Sequence, residues 1–89
     1  MSIIEVYNTI SIAISIDKRY AVRKGVEYCY VYNRNDDYIC KIYVSPLNLF
    51  IHTETFRVDI YTPDSRLTHS FILYVNSVGS LEFYKHIKI

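Results

Sequence analysis

The side chains able to do chemistry in this 89-residue chain are few and far apart. A structural zinc site takes four ligands, usually as closely spaced pairs. Cys29 and Cys40 stand eleven positions apart, and the chain has no Cys-x-x-Cys. His52 and Glu54 are two apart and share one face if that segment is extended. With Cys40 they form a set that folding could bring together, but nothing in the spacing requires it. Acid–base or nucleophilic catalysis would draw on His52, His69 or His86 with Asp and Ser. All three His fall on expected strands, not on the loop tips where catalytic groups concentrate. His69 alternates with Phe71 and Leu73, as a core or barrel-end His does. Phosphate loops need clustered Gly for close backbone approach, and the chain has only Gly25 and Gly79. The reading is a non-enzymatic protein with no catalytic, metal or cofactor-binding residue, and no cofactor is expected.

Contact chemistry remains. Ten Tyr in 89 residues exceed what a small core can bury with every hydroxyl bonded. Tyr28, Tyr30 and Tyr32 are expected to face the core. Tyr43, Tyr61, Tyr74 and Tyr84 alternate away from their strands' apolar residues and are the outer set. Exposed Tyr suits protein interfaces, where the ring supplies area and the hydroxyl stays wet. Tyr rings also stack on single-stranded bases, but that needs a basic groove beside them. Net charge is +1, against the strongly basic balance of a dedicated DNA-binding domain. Arg19, Arg23 and Lys24 cluster at one turn, with Arg34 and Arg57 as further cations. Asp36, Asp37, Asp59 and Asp64 offset them. A protein partner is therefore favoured over a nucleic acid.

The elements that must position these residues are β-rich. Ile, Val, Thr, Tyr and Phe make up 40 of the 89 residues, and such side chains suit a pleated, half-buried surface. Ile10, Ile12, Ile14 and Ile16 alternate with Ser11, Ala13 and Ser15, which predicts a strand. Ahead of it, Ser2 and Glu5 read as a capping box, and Ile3, Val6, Tyr7 and Ile10 fall at helical spacing. A short helical turn is the minority reading there, because the residues are poor helix formers. Tyr20 to Val22 is a short extension. Val26 to Asn33 and Tyr38 to Val44 form a hairpin. Its five-residue loop, Asn33 to Asp37, sets Tyr32 opposite Tyr38, Tyr30 opposite Cys40 and Tyr28 opposite Ile42, with Asn35 as the left-handed residue. That register puts Cys29 and Cys40 on opposite faces, so no disulfide is expected.

Ser45-Pro46-Leu47-Asn48 breaks the chain, since Pro cannot donate within a central strand. Leu49 to Tyr61 follows, beginning as an edge strand or carrying a bulge near Thr53, with Arg57, Asp59 and Tyr61 turned away from Phe56, Val58 and Ile60. Thr62-Pro63-Asp64-Ser65 is a turn. Thr68 to Asn76 and Leu81 to Ile89 form the last hairpin.

The fold class is all-β: one small antiparallel barrel or sandwich of about six strands over residues 1–89, with an α+β sheet as the alternative. No stretch is long and apolar enough for a membrane helix, and no signal peptide is recognisable, so an intracellular, cytoplasmic protein without membrane attachment is expected. Residues with A/T-rich codons (Ile, Tyr, Asn, Lys and Phe) number 37 of 89, as in many small phage and viral accessory proteins. The function expected is an interaction module that binds and inhibits a host protein, for example a defence component. Its surface would comprise Tyr43, Tyr61, Tyr74, Tyr84, His52, Glu54 and Arg57. The alternatives are a virion-type structural subunit, homo-oligomeric through its edge strands, and a single-stranded nucleic-acid-binding barrel.

Overall fold

The computed structural model describes the whole chain, Met1 to Ile89. Helix α1 (Ile3–Ile16) is followed by six strands: β1 (Tyr20–Lys24), β2 (Cys29–Asn33), β3 (Tyr38–Leu47), β4 (Thr55–Tyr61), β5 (Leu67–Val75) and β6 (Leu81–Ile87). The strands form one antiparallel sheet in chain order, so β1 and β6 are its edges. Six antiparallel strands are present, the number expected, but β1, expected only as a short extension, stands in for the strand expected over Ile10 to Ile16. In place of a second sheet, a helix lies across one side.

That helix overturns the strand expected over Ile10 to Ile16. Both halves of the capping box form: Glu5 N–H donates to Ser2 Oγ and Ser2 N–H to Glu5 Oε1. They satisfy two donors that a helix start leaves free. Ile3, Val6, Tyr7, Ile10, Ser11 and Ile14 then make a stripe at helical spacing. Val6 is fully buried, and Ile3, Tyr7, Ile10 and Ile14 pack against the same core. Ile12 and Ile16, which the alternation would have buried, are 65% and 76% exposed. The helix wins because the sheet offers an apolar side that needs a cover. On that side lie Cys29, Val31, Ile42, Val44, Phe56 and Val58, all buried.

Three register shifts, at Val31–Tyr32, Ile60–Tyr61 and Ile72–Leu73, set which side chains share a side. Tyr32 pairs with Tyr38 as expected, but the register then shifts. Tyr30 lies opposite Lys41, Val31 opposite Cys40 and Cys29 opposite Ile42, correcting the expected Tyr30–Cys40 and Tyr28–Ile42 pairs. An extra residue on one strand reverses the alternation beyond it, so both cysteines face the helix. Both thiols are free, and burial raises both pKa values, with the Ser11 hydroxyl 3.4 Å from Cys29 Sγ opposing it there. The shift between Ile72 and Leu73 does the same to β6. Beyond it, His86 pairs with Phe71 and Lys85 with Ile72. In the β2–β3 loop Asp36, not Asn35, takes the left-handed conformation, with φ 63°. Asn33 Oδ1 accepts from the N–H groups of Asn35 and Asp37 and organises that turn.

Pro46 does not end β3; the strand continues to Leu47. Pro46 has the same parity as Val44, whose N–H points away from β4 and bonds Tyr7 Oη. β2 has already ended there, so the N–H that Pro46 lacks has no strand to meet. Leu49 to Glu54 is a loop and not an edge strand. β4 begins at Thr55 and is central, paired with β3 and β5. Thr55 caps this loop: its hydroxyl donates to Leu47 O and accepts from Leu49 N–H.

Candidate interaction surface

The side of the sheet opposite α1 carries the tyrosines. Tyr30 pairs with Lys41, Lys41 with Tyr61 and Tyr43 with Asp59, and paired residues point the same way. Tyr28, Tyr30 and Tyr32 therefore belong to this open side and not to the core. The residues between them, Cys29 and Val31, took the core positions. α1 covers the row of Cys29 and Val31, which leaves the Tyr row on the open side.

Six rings make one connected platform. From Tyr32 the centroids run to Tyr38 at 5.6 Å, to Tyr30 at 5.7 Å and to Tyr28 at 6.1 Å. Tyr28 then meets Tyr43 at 5.5 Å and Tyr61 at 6.4 Å. The rings are tilted or edge-on, the arrangement that aromatic quadrupoles favour. Two cations sit on the platform. Arg23 lies 4.5 Å above the Tyr32 ring, and Lys41 Nζ lies 4.6 Å above the Tyr28 ring. Both cations are also engaged otherwise: Arg23 pairs with Asp36 at 2.7 Å, and Lys41 donates to Ser65 Oγ at 2.6 Å.

Two details hold the rings in place. On the helix side, Tyr7 Oη donates to Glu27 O and accepts from Val44 N–H, each at 2.7 Å. It bridges β2 and β3 where their pairing ends, and the bonded groups adjoin Tyr28 and Tyr43. Gly25 makes room for Tyr30: a Cβ there would stand 2.5 Å from the Tyr30 ring. None of the six platform hydroxyls bonds another group of the chain, and none is a buried unpaired atom, so they reach solvent. Burial raises the Tyr38 and Tyr61 pKa values.

The other expected surface residues divide. Tyr43 and Tyr61 lie in the platform. Tyr74 and Tyr84 share its side at the β5–β6 end, 6.5 Å apart, with Phe50 of the loop 5.2 Å from Tyr84. Tyr74 Oη donates to Glu82, and that bond lowers the Glu82 pKa and raises that of Tyr74. Arg57 pairs with the buried Asp59 at 2.9 Å, which also accepts from Ser70 Oγ at 2.5 Å. His52 and Glu54 sit on the loop, where Glu54 holds the N-terminal ammonium. They are apart from the platform. The sequence reading missed Tyr28, Tyr30, Tyr32 and Tyr38 as surface residues. A signal was available in the charged Lys41 that must share their side.

An apolar groove of about 370 Å³ opens on the helix side between α1 and the sheet, lined by Ala13, Ile14, Tyr20, Ile39, Ile42 and Ile60 among others. Its one acid is Asp17, whose carboxylate is bonded by Arg19 and held at about 2. No helix is long and apolar enough to cross a membrane. No protein-family model, curated protein or solved structure matches the chain.

Proposed function

We propose that this chain is a non-enzymatic protein-interaction module whose binding surface is the tyrosine platform. One observation carries the reading: six mutually packed Tyr rings with solvent-facing hydroxyls on a sheet side that α1 leaves open. Such a surface offers ordered apolar area at low entropic cost, because the rings already hold one another, and hydroxyls that can bond backbone carbonyls of a partner. Tyr is enriched at interface positions that dominate affinity.

A protein fits better than a single-stranded nucleic acid. Base stacking on aromatics works beside a basic track, and here Arg23 and Arg57 are neutralised by Asp36 and Asp59. The A/T-biased composition supports a phage or viral accessory role, in which occupying this face of a host protein inhibits it.

The test is capture of a partner from host lysate, followed by Tyr43→Ala and Tyr61→Ala. Each is expected to weaken binding by about 2 kcal/mol, roughly thirtyfold, while the fold holds. Unchanged capture by both variants would remove the platform as the site. A shift of labelled oligonucleotides at low salt would favour the nucleic-acid reading instead.

A further inference from the structure

An α-helix is about 10 Å across, and six strands about 4.8 Å apart span roughly 24 Å. One helix therefore covers about half of this sheet. α1 lies over the β1–β3 half. On the β5–β6 half the helix side presents His69, Phe71, Leu73, Leu81, Phe83 and His86. Phe83 is 59% exposed, and both His are exposed. Their rings already form a cluster, with Phe71 5.0 Å from His86 and 6.2 Å from Phe83, and His69 stacked 6.1 Å from Phe71.

None of these six residues bears a fixed charge. The opposite side of β4 to β6 carries Arg57, Asp59, Glu82 and Lys85. The accessible area agrees that something is uncovered. A monomer of 10.6 kDa is expected to expose about 5,500 Å², and this chain exposes 6084 Å². The surplus, roughly 600 Å² over the whole chain, is of the order of the ~800 Å² that each partner gives up in a standard interface, and Phe83 contributes to it on this face.

We propose that this face is the interface of a symmetric homodimer, with β5–β6 of one copy stacked on β5–β6 of a second. A two-fold contact sets a patch against itself. Any fixed charge near its axis would meet its own like, and this patch has none. Homodimer interfaces are also richer in apolar area than transient ones. The geometry closes: stacked sheets lie about 10 Å apart, the depth of a helix layer. The partner's sheet thus occupies the layer beside α1, and the partner's α1 falls next to the unpaired edge of β6.

Sedimentation of the unaltered chain is expected to show a dimer. Phe83→Asp enters the interface twice and is expected to raise the dimer dissociation constant about a hundredfold or more. His86→Asp, at a separate exposed position, is expected to do likewise. Tyr43→Ala, on the other side of the sheet, is expected to leave the dimer intact, which separates this interface from the platform. Amide exchange of β6 in the unaltered chain is expected to quicken on dilution. A chain that sediments as monomer at every concentration overturns the proposal. So does a dimer that survives both Asp variants or dissociates on Tyr43→Ala, or β6 exchange independent of concentration.

Discussion

Tyr7→Phe tests how the helix side holds the tyrosine platform. The ring stays, so packing against the core is kept, and only the hydroxyl is lost. Two bonds of 2.7 Å go with it. They are not equivalent. Glu27 is exposed, so its carbonyl recovers a bond from water. Val44 is buried, and its N–H points to the side where β2 has ended. A buried donor left unpaired costs about 1–3 kcal/mol. Adding roughly 0.5 kcal/mol for the solvated bond, the expected loss is about 2 kcal/mol. In a domain of this size that lowers Tm by roughly 8–16 °C. Urea unfolding monitored by far-UV circular dichroism reads the free energy. Tyr28–Tyr43 ring contacts in NOE spectra report whether the platform loosens with it. A loss below about 0.5 kcal/mol would refute the reasoning, because it would mean that the Val44 N–H finds another partner at no cost.

Other consequences follow from the same structure. Glu82 has a lowered pKa because Tyr74 and Asn76 bond its carboxylate. Its contribution is present above the ordinary Glu value and is lost as pH falls through the folded one, so the β5–β6 hairpin should loosen in acid. Tyr74→Phe should bring the Glu82 pKa, read by NMR titration, back toward 4.5. Tyr7, Tyr38 and Tyr61 have raised pKa values, chiefly from burial. The stability tied to their neutral form is complete below pH 10.0, the ordinary value, and is lost as pH rises through the folded values. Unfolding midpoints should therefore fall on the alkaline side. Gly25→Ala should push the Tyr30 ring aside, visible as altered Tyr30 ring shifts and weaker partner capture, with little change in far-UV dichroism. A thiol assay under denaturing, non-reducing conditions should find both Cys29 and Cys40 free.

Much of this protein is written locally. From Tyr20 onward most strands and turns follow from alternation and from Asn, Asp, Ser and Pro63 at the connections, because those preferences act within a few residues; the passage of β3 through Pro46 and the loop over Leu49 to Glu54 do not. The capping box at Ser2 and Glu5 is equally local, and so is the outward turn of Arg57, Asp59 and Tyr61. The scarcity of Gly and the dispersed His and Cys left contact as the main chemistry to consider. Three matters were decided only by the tertiary structure. Ile10 to Ile16 alternates as a strand does, and the uncovered apolar side of the sheet selected the helix instead. Which of two alternating rows in β2 faces inward depends on what lies above it. A helix did, so Cys29 and Val31 went in and Tyr28, Tyr30 and Tyr32 went out. The bulges at Val31–Tyr32, Ile60–Tyr61 and Ile72–Leu73 reverse parity over a single residue, and no local preference marks them. They arise where pairing on both strands must be reconciled with the twist and the turn. Burial is a property of layers, and layers form between segments distant in the chain.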